Sequence, residues 1–267
     1  APGIDLPPDR AWPSDFDDAL AQYEAEPPIR VTFDQGAAGA GGEPCPDGDR
    51  SPDPCPVGYP YSAFSVGFDS WPPPQTTPWR LSLQPDGGLG DVTTVPDGSP
   101  RSFDTYRYDG SAGGQGIDAD HNLMSTNPGF HWAPNPEGTS LSYLTEPLTQ
   151  DRVMVGSGSV DLWLRSTAPD VDLEVDLTEV RPDGKETYIQ SGWLRASHRH
   201  LDASSTDLLP FHTHLAADAE DLPAGQFVPV RVALVIWSSA MIPAFRNALT
   251  SHSTRLSVIR SRSRSIR

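Results

Sequence analysis

Hydrophobic and polar residues alternate most regularly between positions 141 and 199. In VMVGSGSVDLWLRS, Val160, Leu162 and Leu164 alternate with Asp161, Trp163 and Arg165; in VDLEVDLTEV, Val171, Leu173, Val175 and Leu177 alternate with acids and Thr178. A period of two places successive side chains on opposite faces, so these runs predict antiparallel strands with one covered face. RPDGK supplies a hairpin connection to TYIQSGWLRA, and FVPVRVALVIW predicts a later strand that Pro229 confines to an edge or a beginning. Between 81 and 145, short strand candidates are separated by PDGG, PDGSP and NPEG turns.

The pattern changes near the start of the chain. WPSDFDDALAQYEAE, residues 12 to 26, predicts a short helix capped by Ser14 or Asp15, with Phe16, Leu20 and Tyr23 on one stripe and Pro27 and Pro28 as its stop. IRVTF at 29 to 33 reads as a strand, and then a Gly, Pro and Asp loop runs to about residue 60. In the proline-rich stretch that follows, Phe68, Trp71 and Trp79 read as cover for an apolar surface, with a PxxP ligand as the lesser alternative. Many strands, few helices and closely spaced turns point to an all-β sandwich, most simply a jelly roll.

Composition narrows the function. Of 267 residues, 29 are Pro and 23 Gly, which favours turns and irregular loops over long helices. No apolar run approaches the ~20 residues of a membrane-crossing helix, so a soluble chain without a membrane role is expected. The opening APGIDLPPDRAWPSDF has neither the basic nor the apolar part of a signal peptide, which leaves the compartment undecided between extracellular and cytoplasmic. Net charge is -17, yet residues 1 to 245 hold 13 Lys and Arg against all 36 acids, while 246 to 267 hold six Arg and no acid. Most of the surface should therefore repel nucleic acid. Cys45 and Cys55 flank PDGDRSPDP, a spacing that permits a disulfide closing a small loop in an exported protein, or two free thiols.

Candidate chemistry is thin. There is no G-x-S-x-G nucleophile turn, no G-x-G-x-x-G, no Walker loop and no H-E-x-x-H. GSGSV at 156 to 160 reads as a turn between strands. His198 and His200, like His212 and His214, are two apart, and four such nitrogens could surround zinc, although surface or pocket-rim histidines are the default. Asp47, Asp49 and Asp53, and separately Asp118, Asp120 and Asn122, have oxygen-rich spacing suited to calcium without the terminal bidentate Glu. Neither a metal nor another cofactor is expected.

Residues 141 to 199 nevertheless carry several features together: TEPL, VDLWLRSTAPDVDL, the V-R-P-D-G turn and SGWLRASHR. With FDSWPPPQTTPWRLSLQPDGGLG at 68 to 90, they resemble the non-catalytic C-terminal domain of the CocE/NonD and X-Pro dipeptidyl-peptidase family of serine hydrolases, over most of residues 29 to 234. The resemblance implies a jelly-roll, galactose-binding-like β-sandwich packed on an upstream α/β-hydrolase domain and helping to wall its cleft, in enzymes that cleave esters or amides. No residue here matches the nucleophile motif, so no triad member is carried over, and the chain is expected to be inactive alone. Trp71, Trp79 and Trp193 are candidate cleft contacts or packing aromatics. The resemblance implies three parts: a linker or remnant at 1–66, the sandwich at 67–245 and a basic tail at 246–267. That tail, VIWSSAMIPAFRNALTSHSTRLSVIRSRSRSIR with the preceding residues, departs from the family and resembles translation in a shifted reading frame; a genuine basic tail that contacts nucleic acid is the alternative. A shifted tail would leave the sandwich incomplete at its C terminus. A stand-alone carbohydrate-binding or adhesive module is the second functional reading.

Overall fold

In this computed structural model the described residues are 11–34, 62–91, 103–108, 138–150, 152–180, 184, 186–234, 239–242 and 253–261. Cys45, Cys55 and the two Asp-rich calcium candidates lie outside them.

The predicted helix forms as α1, Phe16–Glu24, and it starts where its cap dictates: the Asp15 carboxylate accepts from the backbone N–H groups of Asp17 at 2.9 Å and Asp18 at 3.1 Å. Two extended segments follow, β1, Ile29–Asp34, and β2, Ser62–Phe68, which pair antiparallel with Ile29 opposite Phe68. The PDGG turn joins β3, Leu81–Gln84, to β4, Gly88–Asp91. Asp86 and Gly87 there take φ of 61° and 75°, a left-handed pair that Asp-Gly tolerates better than most dipeptides.

The alternating region then delivers β5, Leu141–Thr145; β6, Arg152–Val153; β7, Gly158–Leu164; β8, Asp172–Val180; and β9, Glu186–Arg195. Gly156, at φ 106°, makes the turn expected within GSGSV. The last described strands are β10, Val228–Leu234; β11, Ser239–Ile242; and β12, Ser253–Ser261. Pro229 is the second residue of β10, whose ladder is with β7.

Among the described residues the strands make three sheets. One has the order β3-β4-β5-β12-β8-β9, a second is the ribbon β10-β7, and a third has the order β2-β1-β11-β6. The ribbon packs on the six-stranded sheet, and the main core lies between them: Val160, Val230, Val232 and Leu234 from the ribbon meet Leu89, Tyr143, Leu173, Val175 and Leu194. This is the two-layer all-β sandwich that the alternation predicted. At Gly192 the layers approach so closely that a Cβ would overlap the Ala233 carbonyl oxygen, so only glycine fits.

One expectation needs correction. Alternation in β8 predicted a single covered face, and Val171, Leu173 and Val175 are indeed buried, but so are Asp176, Thr178 and Glu179. The register shifts between Leu177 and Thr178, and Glu186, Ile189, Gln190 and Ser191 on β9 are buried as well. Both faces of this end of the β8–β9 pair are therefore covered. Two pairs of these polar groups bond one another: Thr178 Oγ1 donates to Glu186 Oε2 at 2.8 Å, and Ser191 Oγ donates to Asp176 Oδ1 at 2.5 Å.

Candidate functional site

The outer face of the β7–β10 ribbon brings exposed aromatic and charged groups together. Alternation turns Asp161, Trp163 and Arg165 away from the core, and register sets Asp161 opposite Arg231 and Trp163 opposite Pro229. Trp163 is 68% exposed. Beside it, the Arg165 guanidinium lies over two rings, 4.8 Å from Phe103 and 4.6 Å from Phe227, and these rings meet edge-on at 5.8 Å. Each stacked contact of this kind stabilises by roughly 0.5–1 kcal/mol when exposed.

Next to the aromatics, the charges are fixed in a lattice. Arg231 binds the Asp161 carboxylate through Nε and Nη2 and also reaches Asp207, at 3.3 Å; Arg80 binds Asp207 at 3.0 Å. Hydrogen bonds from Arg80 and Arg231 hold the Asp207 carboxyl below the ordinary carboxylate range. The backbone of the same loop is anchored by Ser159 Oγ, which donates to the Asp207 carbonyl at 2.7 Å. The face is thus a pre-shaped plate of aromatic rings and paired charges. It can hold a surface or a bound molecule by stacking and hydrogen bonding, and none of the contacts named here generates a nucleophile.

The histidines converge without making a metal set. The rings of His198 and His214 are 5.9 Å apart and those of His212 and His214 5.8 Å. His212 is buried, with Nδ1 at 3.2 Å from the His200 carbonyl within the same loop and Nε2 at 2.9 Å from the Arg231 carbonyl, the contact that ties the loop to β10. Among the described residues no three His, Cys, Asp or Glu side chains form a group suited to a metal ion. His200 contributes its backbone carbonyl to this arrangement.

Trp71, Trp79 and Trp193 occupy different places. Trp71, 49% exposed, precedes β3; Trp79, 40% exposed, carries the Arg152 guanidinium 5.0 Å from its ring centre; Trp193, 54% exposed, stands on β9 opposite Glu174. On that side of β9, Arg195 forms a two-pronged pair with Asp172, at 2.8 and 3.1 Å. Sequence alternation already turned Trp163 outward. It gave no sign that Phe103, Arg165 and Phe227 meet, because such contacts come from tertiary folding across distant segments.

Comparison with known proteins agrees with this architecture. The family described as the X-Pro dipeptidyl-peptidase C-terminal non-catalytic domain matches residues 21–239. A Mycobacterium bovis protein named as a serine esterase is 30% identical over 189 residues, which are 67% of this chain and 28% of that protein. The cocaine esterase of a Rhodococcus species is 27% identical over 200 residues, 68% of this chain and 32% of the esterase. The chain thus spans about a third or less of these relatives. Among solved structures, an aminopeptidase from a marine sediment archaeon superimposes with TM-score 0.51 at 18% identity, over 74% of this chain and 31% of that one. A CocE/NonD family hydrolase from Staphylococcus aureus superimposes with TM-score 0.50 at 19% identity over the same shares. At that identity the likeness is one of fold. With the family match over residues 21–239, the chain belongs to the X-Pro dipeptidyl-peptidase C-terminal non-catalytic domain family.

Proposed function

We propose that this chain acts as the accessory C-terminal domain of a CocE/NonD-like serine hydrolase, shaping the substrate cleft of an α/β catalytic domain that precedes it and cleaves ester or amide bonds. The family match over residues 21–239 carries this reading. The ribbon face supports it: exposed Trp163 beside the Arg165 stack and the Arg231–Asp161 pair forms a rigid surface able to line a cleft. In this reading nucleophile, base and oxyanion hole reside on the partner domain, and this chain contributes shape and polarity. The purified chain, offered p-nitrophenyl acetate and an X-Pro p-nitroanilide, should turn over neither above the uncatalysed rate. Saturable hydrolysis of either would overturn the accessory role.

The same ribbon face favours a second reading. An exposed tryptophan flanked by Asp161 and Arg165 on a sheet is also what a carbohydrate-binding module presents. Quenching of tryptophan fluorescence by soluble oligosaccharides, lost in Trp163→Ala, would move the assignment there.

A further inference from the structure

α1 carries a stripe of large apolar side chains on a helix with no buried residue. Phe16 is 74% exposed, Tyr23 64% and Leu20 39%; their spacing puts them on one side, while Asp18 and Gln22 fall opposite. Trp12, from the preceding turn, leans on Tyr23 with ring centres 6.4 Å apart and extends the stripe. A helix of 9 residues is too short to persist in water by itself, since isolated helices below about 12–15 residues are marginal. It needs a packed face.

The exit of the helix is held in place. At Gly67 on β2, a Cβ would come within 2.5 Å of Pro27 Cγ, so the proline ring lies directly on the strand, and Arg30 pairs with Glu26 at 3.8 Å. The family match begins at residue 21, inside α1, so the first half of the stripe precedes the matched domain. The relatives are more than three times as long as their matched part, and the matched family is described as C-terminal.

We propose that α1 is a docking ridge: Phe16, Leu20 and Tyr23, with Trp12 beside them, seat in an apolar groove of the α/β-hydrolase domain that precedes this one. Asp15 and Asp17, which flank the stripe at the helix start, call for a basic rim on that groove. This rests on the accessory-domain reading.

The test uses a chimera in which this chain replaces the C-terminal domain of the Mycobacterium bovis relative. The probes are Phe16→Asp with Tyr23→Lys, made both in the chimera and in this chain alone, and the readouts are thermal unfolding and limited proteolysis. The ridge predicts that the unmodified chimera unfolds as one coupled unit. The paired substitution should lower that transition by at least about 5 °C and split it, while leaving the melting of the chain alone unchanged. If the unmodified chimera couples and the substituted one couples equally well, the ridge is wrong and the accessory reading stands. If even the unmodified chimera melts as two independent units, the accessory reading itself falls. A loss of stability in the chain alone would show that the stripe packs internally and would also overturn the ridge.

Discussion

Asp176 shows what burial does to a residue that alternation would leave in water. It is fully buried; Oδ1 accepts from Ser191, and Oδ2 has no hydrogen-bond partner among the described side chains. Burial, with help from Glu174 and Glu186, raises its carboxyl to about 7 against the pull of Ser191. On the neighbouring β12, Ser257 stands opposite it in register. The folded chain therefore keeps a proton that the unfolded chain releases near pH 4, and this group's contribution weakens as pH rises from about 4 to about 7, then levels off. Asp176→Asn should remove that slope. In urea titrations, the stability of the variant relative to the unmodified protein is expected to climb by on the order of 3 kcal/mol between those pH values; a pH-independent difference would contradict the assignment.

Gly192 sets a second constraint at this scale. Because its neighbour is a backbone carbonyl of β10 rather than a movable side chain, Gly192→Ala has to push the two layers apart. A loss of about 3 kcal/mol is expected in the same titration, and a loss under about 0.5 kcal/mol would mean that the layers separate freely.

At the level of elements, β12 matters most. It pairs with β5 through Arg255 to Val258 and with β8 along its whole length, from Ser253 opposite Val180 to Ser261 opposite Asp172. Deleting residues 253–267 would leave both neighbours with unpaired backbone edges. The truncated protein should aggregate on gel filtration and lose its cooperative melt; a monomer with unchanged melting would show that β12 is dispensable. This element also shows where sequence reading stops. Its Ser- and Arg-rich text carries no alternation like that of Val171 to Leu177, and its place between β5 and β8 is a long-range pairing that local pattern does not encode. By contrast, α1 was legible because its cap and stripe are local, and β7 and β8 because one face of each is apolar. Phe64, Val66 and Phe68 in β2 do alternate with Ala63, Ser65 and Gly67, a signal overshadowed by the adjoining prolines. The buried acids of β8 and β9 were illegible for the opposite reason: alternating acids look solvated until something covers the second face.

For the whole molecule, the sandwich supplies a stiff body with two prominent surfaces, the aromatic plate on the ribbon and the apolar stripe of α1. An accessory domain needs both a face toward its catalytic partner and a face toward the cleft. No helix among the described residues is long and apolar enough to cross a membrane. The family resemblance was legible because its motifs sit in the strands that alternate best. The ribbon plate was not, since Phe103, Arg165 and Phe227 meet only after folding. If that plate lines the cleft, Trp163→Ala in the chimera should raise KM several-fold while leaving its melting temperature within about 2 °C. An unchanged KM would remove the plate from the cleft.

The most direct test of the account is the esterase activity of that chimera, measured as kcat/KM on p-nitrophenyl acetate beside the catalytic portion of the relative without any C-terminal domain and beside this chain alone. The account predicts background hydrolysis by this chain and at least about tenfold higher kcat/KM for the chimera than for the catalytic portion. Equal activity with and without this domain, or turnover by this chain alone, would contradict it.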